Sequence, residues 1–496
     1  MGDILEQIKG GWRGWSREQR VAAVALPLSV LVLIGVGIKE FASRPADVSN
    51  PDVTFSEKET PKAPVVKTAE SWPRYGLTRA RTKYMNAPKI KPPFVRRWNY
   101  DRGELIEFAP IIVDDTLYGI DNDAVFFALN AKTGKERWRR DMGSLNASSP
   151  AYNKGRLYAV NLSPPQAMAL RARDGKLIWR KALPSRAESS PLYHDGRIYF
   201  GTEGGEFYAM RARDGKAIWQ TKLAGGVKAA PAYVGGSLYV GDYAGDMYAI
   251  RASDGRIRWR AGSLGGSFGR GGRFYSTPAV AFGRVYAGNV DGRVYSFDRR
   301  SGRVAWTHSA GHFVYSGIAA ADMKQTGPTV YFGSHDRYFY ALDAKTGNVH
   351  WRSRPGGQVS GPATVIGKVA YVSTFTGNAT IGFDVRTGRR RVKFGIGEYG
   401  PVVSDGVRLY VVGGGEIRAY DPVKNLPDSL KRKTSSLGVL ATKAYRAAAR
   451  KGKGGKPRVP GKRPTSSKPK SSKRSKSKRE RTAKRKAERR KKRSKR

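Results

Sequence analysis

The chain has 496 residues, 92 of them Lys or Arg against 40 Asp or Glu, for a formal charge of +52, and it contains no cysteine. Without thiols it has no disulfides, thiolate metal centres, cysteine nucleophiles or lipid attachment through cysteine. Five scattered histidines argue against a histidine-built metal or catalytic cluster, so no catalytic residue, metal ligand or cofactor is assigned. The positive surplus predicts attraction to polyanions and leaves the fold open.

Residues 1–20 read as a short basic cytoplasmic segment carrying Lys9, Arg13, Arg17 and Arg20. Residues 21–38, VAAVALPLSVLVLIGVGI, are 18 residues without a charge, close to the roughly 20 that a helix needs to cross a bilayer. Only Lys39 and Arg44 follow closely, so charge counting keeps the amino terminus in the cytoplasm and the remainder outside. Lys39 and Glu40 directly after the apolar run, with no clean small-residue cleavage site, favour an uncleaved transmembrane helix over a signal peptide. Residues 43–70 are rich in proline and charge without apolar periodicity and read as an extended linker.

The body repeats. Trp98, Trp138, Trp179, Trp219, Trp259, Trp306 and Trp351 recur at separations of 40, 41, 40, 40, 47 and 45 residues. Each interval holds four short apolar runs between turn signals such as DG, EGG and RDG, the pattern of a four-stranded propeller blade that is stable only when stacked on its neighbours. Second-strand tyrosines at 118, 158, 199, 239, 286, 331, 371 and 410 count eight units, the last lacking its tryptophan strand. FVRRWNY at 94–100 is that missing strand placed ahead of the first unit, so the chain is expected to be an all-β, eight-bladed propeller whose ring is closed by an amino-terminal strand. Val392 stands at the tryptophan place of the seventh unit.

The A-x-[DN]-x-x-[TDS]-G-[KR]-x-x-W frame, with SWPRYGLTRARTKY at 71–84, resembles the pyrroloquinoline-quinone-type propeller repeat over about residues 71–424. Quinoprotein alcohol dehydrogenases share that repeat, as does the propeller lipoprotein of the outer-membrane β-barrel assembly machinery. The resemblance to the dehydrogenases implies a quinone over the ring centre, commonly against a disulfide of adjacent cysteines, with calcium and a catalytic aspartate. This chain has no cysteine and near-minimal blades, so it is more similar to the non-catalytic branch. The expected function is a protein-binding scaffold of the cell envelope and not an enzyme; a quinone-dependent dehydrogenase is the alternative.

If the first strand of each blade runs downward, the loops entering it and those between strands two and three form the top face. Glu107, Glu188, Lys228, Asp242, Tyr275, Tyr315 and Glu398 are the candidate ligand residues of that mouth, suited to a cation or small polar molecule. The T-G-K turns form the opposite face and supply Lys135, Arg173, Lys176, Arg213, Lys216, Arg256, Arg303, Arg389 and Arg390 as candidate polyanion-binding residues. LGGSFGRGGRF at 264–274 lacks a phosphate-loop ending and reads as a flexible loop of the top face. Residues 431–496 hold 30 basic residues against 2 acidic ones, Lys470, Arg474, Arg485 and Lys491 among the former. So little apolar content cannot bury a core, so the tail is expected to be disordered. Its expected partners are anionic lipid or wall polymer outside the membrane, with nucleic acid the alternative. Anchor, basic turns and tail are expected on one side of the disc.

Overall fold

The computed structural model describes residues 45–59, 72–265 and 272–423. Eight sheets are arranged as predicted. Blades 1 to 7 are continuous stretches, 111–141, 151–182, 192–222, 232–262, 279–309, 319–353 and 364–394, each with four antiparallel strands in chain order. Blade 8 takes Val403–Ser404, Leu409–Gly413 and Glu416–Pro422 and is completed by Phe94–Asp101, with Trp98 opposite Ala419. The amino-terminal strand therefore closes the ring. A short parallel strand, Tyr84–Met85, adds to the inner edge of blade 7.

Second and third strands are buried along most of their length, as in Arg197–Gly201 and Glu206–Arg211. Blades stack face to face, so these strands bury both surfaces and read as apolar runs without alternation. Outermost strands are largely exposed except at the tryptophan, as in Leu177–Ala182. Each outermost strand shifts register beside that position, for example between Leu177 and Trp179. Such a bulge turns one side chain out of the regular pleat, here toward the next blade.

There the indole makes one directed bond. Trp138 donates to the Ala172 carbonyl at 2.9 Å, Trp179 to Ala212 at 2.9 Å, Trp306 to Ala344 at 3.0 Å and Trp351 to Val385 at 2.8 Å. The closing strand does the same, Trp98 to Ala131 at 3.1 Å. The acceptor opens the T-G-K turn of the following blade, whose glycine lies flat against the indole. A Cβ on Gly134 would meet the Trp98 ring at 2.6 Å, and Gly134 also has a φ of +74°. Only glycine satisfies both conditions. Val392 lacks the tryptophan where the next blade lacks the turn, because blade 8 receives its fourth strand from residues 94–101 instead of looping back.

Residues 72–85 line the channel and visit the innermost strands in order. Trp72 pairs with Ile112 of blade 1, Tyr152 of blade 2 donates to the Pro73 carbonyl and Arg79 meets His194 of blade 3. Backbone N–H groups of Tyr233, Val280, Ala320 and Val365, in blades 4 to 7, then donate to the carbonyls of Arg79, Ala80, Thr82 and Lys83 at 2.8–2.9 Å. One segment thus pairs edge groups that would otherwise face the channel unmet. It carries two buried cations without a carboxylate within 4 Å among the described residues. Arg81 donates to the Pro231 carbonyl at 2.9 Å and to Tyr75 and Ser190; Lys83 donates to Arg81 and Ile318 at 3.0 and 2.9 Å. Burial lowers the Arg81 pKa to about 9 and that of Lys83 well below its usual value.

Residues 45–59, read from sequence as the start of a linker, lie on blade 5. Ser49 pairs with Trp306, Asp47 accepts from the Ser309 N–H at 2.9 Å, and Glu59 meets Arg299 and Arg300 at 2.7 and 2.8 Å. Ser309 ends its strand at the top and Arg299 opens the turn below, so this stretch descends the outer edge. The two ends of the described chain therefore do not lie on one face as expected: Pro45 meets Arg293 at the top of blade 5, while Val423 ends on the turn face beside Pro93. Among the described residues no helix is long and apolar enough to cross a membrane. The expected span at 21–38 and the core of the 264–274 loop lie outside the described residues, as does the unit at 432–496 into which the chain divides.

Trp138→Ala is expected to destabilise the propeller by about 3–5 kcal/mol, the range for removing a buried tryptophan. Val392→Ala removes less side chain and no hydrogen bond, and should cost well under half as much. Denaturant unfolding of both variants checks the difference.

Candidate functional site

Above the Arg81 segment the channel opens into a cavity of about 280 Å³ with Tyr75 in its wall. Glu107, Phe108, Lys228, Tyr275, Tyr315, Ser360, Tyr399 and Pro401 reach it from the loops entering the first strands; His335 and Phe375 reach it from loops between strands two and three. Of the predicted mouth residues, Glu107, Lys228, Tyr275 and Tyr315 thus share one cavity. Glu188 sits behind Lys228, and Glu398 lies beside Tyr399 with its carboxylate accepting from the Gly414 N–H at 3.1 Å.

The walls divide by chemistry. Tyr275 and Tyr315 meet edge to face at 5.4 Å, Tyr315 and His335 lie 4.9 Å apart, and Phe375 packs on Tyr399 at 5.1 Å. His335 shares a 2.7 Å hydrogen bond with Ser360, and burial together with neighbouring His312 holds its pKa below the usual value. Opposite, Lys228 Nζ stands 2.8 Å from Glu203 and 3.3 Å from Glu188, and 5.6 Å from the Tyr243 ring. Burial pushes the Glu188 carboxyl up to about 7, with Lys228 opposing and Glu203 and Glu107 reinforcing. Burial also works against the Lys228 charge, but the two carboxylates outweigh it and its pKa ends above the usual value. Glu203 is the closer and more exposed partner of the two. Glu107 is raised by burial and makes one weak contact, to Asn122 at 3.4 Å.

Asp242 is placed differently from expectation. It is fully buried and accepts from Tyr248 Oη at 2.9 Å and from the N–H groups of Gly225 and Ala244 at 2.8 and 3.0 Å, so it caps a turn and does not line the mouth. Its equivalents Asp121, Asn161, Thr202, Asn289, Ser334 and Thr374 are buried too. The residues that sequence reasoning missed, Glu203, Tyr243, His335 and Phe375, each follow one of these positions. A period-two count from the end of the strand would have found them, since the next residue faces the other way.

On the opposite face, Lys135, Lys176, Lys216, Arg303, Arg389 and Arg390 are exposed and carry no ion pair among the described residues. Arg173, Arg213 and Arg256 lie 3.9, 3.5 and 3.9 Å from Asp174, Asp214 and Asp254 of their own turns. Those aspartates belong to a local brace in which Arg171, Arg211 and Arg251 bind them three residues ahead. In the other turns Asn130, Asp298, Asp343 and Asp384 cap the backbone directly, as Asn130 does for the N–H groups of Lys132 and Thr133 at 3.0 Å. The turns therefore have two building plans, and the first neutralises part of the basic face. Lys470, Arg474, Arg485 and Lys491 lie outside the described residues.

The family described as outer membrane protein assembly factor BamB, a PQQ-type repeat family, matches residues 121–352 and 291–422, more than half of the chain. The chain belongs to that family. Among solved structures it is similar to BamB from Moraxella catarrhalis, at 16% identity and TM-score 0.55 over 66% of this chain and 98% of that one. It is also similar to the quinohemoprotein alcohol dehydrogenase from Comamonas testosteroni, at 14% and 0.60 over 72% and 81%, and to a europium-containing methanol dehydrogenase, at 14% and 0.60 over 71% and 98%. Likeness at these identities shows the propeller fold alone. No relative with a curated description matches the sequence.

Glu188 makes a pH prediction for this BamB-family propeller. Its folded pKa, about 7, exceeds the 4.5 of an ordinary glutamate, so between those values the folded state binds more protons than the unfolded one. Its contribution is fully present below about pH 4.5 and is lost as pH rises to about 7, at most about 3 kcal/mol. Relative to the wild type, Glu188→Gln should gain stability on going from pH 4.5 to 7.5. Denaturant melts at stepped pH read this difference, and parallel curves would remove Glu188 as its source.

Proposed function

We propose that this protein is a non-catalytic, membrane-anchored, extracytoplasmic scaffold of the cell envelope that binds partner proteins and holds anionic lipid or wall polymer on its turn face. The carrying observation is the set of exposed cations without an ion pair among the described residues, Lys135, Lys176, Lys216, Arg303, Arg389 and Arg390, on the turns of blades 1, 2, 3, 5 and 7. The chain leaves the propeller at Val423 on this same face and continues into a stretch with 30 basic residues against 2 acidic ones. Membership of the BamB family supports the scaffold element of the reading. The apolar run at 21–38 and the basic residues ahead of it support the anchor and the outward orientation.

The dehydrogenase-like neighbours favour a second reading, a quinone enzyme acting at the channel mouth. The mouth residues fit that group poorly. Pyrroloquinoline quinone is a tricarboxylate, and the mouth sets Glu107, Glu188, Glu203 and Glu398 around a single lysine. The chain has no cysteine pair to stack on the ring. Among the described residues no three His, Asp or Glu side chains converge as a metal site, and Asp242 is consumed by its own turn. No catalytic step is derived through a quinone.

Co-sedimentation with anionic vesicles or with anionic wall polymer, at low and high salt, tests the scaffold reading. Binding should fall about five-fold for each of Lys135→Glu, Lys176→Glu and Lys216→Glu at low salt, near 1 kcal/mol per cation, fall further without residues 431–496, and vanish at high salt. Binding to neither material, or binding indifferent to salt, overturns it. Protection of the tail from protease added to intact cells would reverse the orientation and favour nucleic acid as the partner. Dye-linked alcohol oxidation after incubation with quinone and calcium would establish the enzyme reading.

A further inference from the structure

We propose that the cavity at the channel mouth is a binding site for an organic ammonium group, a small alkylamine or quaternary amine, held between the aromatic wall and Glu107. This site lies on the face opposite the basic turns and stands independently of the scaffold reading.

Three features of the mouth point to that ligand. The first is shape: the cavity, about 280 Å³, lies near the lower end of small-ligand sites. Tyr75 walls it from within, and below Tyr75 the Arg81 guanidinium is spent on carbonyls of the channel lining. A ligand therefore enters from the top and stops there.

The second is the aromatic wall. Tyr75, Phe108, Tyr275, Tyr315, Phe375 and Tyr399 all border this one space. Ring faces carry negative quadrupole potential, and a group of rings facing a common space is the arrangement that binds quaternary and alkyl ammonium. Burial and the nearby carboxylates drive the hydroxyl of Tyr275 well above its usual pKa, so that ring stays neutral.

The third is charge. Glu107 borders the cavity and has no cation within 4 Å among the described residues. Glu398 adds negative potential to Glu107 and likewise lacks an ion pair among the described residues. Among the described residues Lys228 is the one Lys or Arg in the wall, and it is already shared between Glu188 and Glu203 beside the Tyr243 ring. The mouth thus already holds one ammonium, the chain's own, by carboxylates and an aromatic ring. The space beside it repeats that chemistry: Tyr75 faces Arg81 below, while Glu107, Tyr275, Tyr315, Phe375 and Tyr399 have no cation of their own against them among the described residues. An anionic ligand would meet Glu107 as a like charge, and a purely apolar one would add to its burial without a new partner.

Isothermal titration of the full-length protein with choline, tetramethylammonium and butylammonium, against the neutral choline isostere 3,3-dimethylbutanol, tests the proposal. One saturable site is expected, at least ten-fold tighter for the best ammonium than for the isostere; the three cations separate quaternary from primary amine as the source. Glu107→Gln and Tyr315→Leu should each weaken binding at least ten-fold, with Tyr399→Leu as a second wall variant should Tyr315→Leu fail to fold by circular dichroism. Lys135→Glu should leave ammonium binding unchanged while weakening polyanion binding, so failure here and failure of the scaffold reading appear in different assays. No saturable binding of any of the three cations, equal binding of the isostere, or full affinity in a folded Glu107→Gln protein overturns the proposal.

Discussion

The hydrogen bond from each outer-strand indole to the carbonyl that opens the next blade's turn is the contact on which the ring depends. A lone four-stranded sheet of this size buries too little to persist, so each blade borrows its stability from the next. The indole supplies both parts of that loan: apolar area against the turn glycine and a directed bond to the carbonyl at 2.8–3.1 Å. The glycine must tolerate a left-handed φ and carry no side chain, the tryptophan must leave the pleat by a bulge, and their separation along the chain must stay close to one blade length. Those three demands explain why so much of each 40-residue unit is free to vary while the T-G-x-x-x-W frame recurs. The exception obeys the same logic, since at Val392 no turn follows and no indole is needed.

Stacking solves the faces of the blades but leaves their inner edges open toward the axis. Residues 72–85 solve that second problem by passing from blade 1 to blade 7 and answering an N–H on almost every inner strand. The segment bends tightly to do so, with Arg81 and Lys83 at φ of 57° and 53°, a conformation costing about 1–2 kcal/mol each for side-chain-bearing residues. The cost is offset by carbonyls that converge on the axis and would otherwise have no donor. Two buried cations thus occupy the centre of the ring because the inner strands point oxygens there.

The fold was legible because one local requirement repeats, and repetition survives variation at single positions. Counting the Tyr and Trp positions reveals eight blades, and the stray FVRRWNY strand reveals the closure. The mouth was less legible. Its wall draws residues from six blades, and at the end of the second strands the polar residue that attracts notice, such as Ser334 or Thr374, is buried in the bend while its neighbour, His335 or Phe375, faces the cavity. The docked stretch 45–59 has no periodicity of its own, because its partner strand, Val304–Ser309, lies some 250 residues further along the chain. Its place comes from partners distant in sequence, the backbone pairing with Trp306, the packing of Phe55 on Phe282 and the ion pairs of Asp47 and Glu59 with arginines of blade 5, and nothing near Asp47 in the sequence announces them.

That docked stretch also constrains how an anchored propeller stands. Pro45 is fixed at the upper end of blade 5 by Arg293, and Asp47 just after it by Ser309. Six residues, 39–44, separate it from the apolar run at 21–38. Six residues reach at most about 20 Å when fully extended. A span at 21–38 would therefore hold the upper outer edge of blade 5 within about 20 Å of the membrane, well within the width of a propeller. The turn face, at the other end of the same strands, would point away from that surface or stand across it. Its cations would then meet envelope polymer more readily than the lipid of their own membrane, whose reach falls off within a Debye length of about 10 Å.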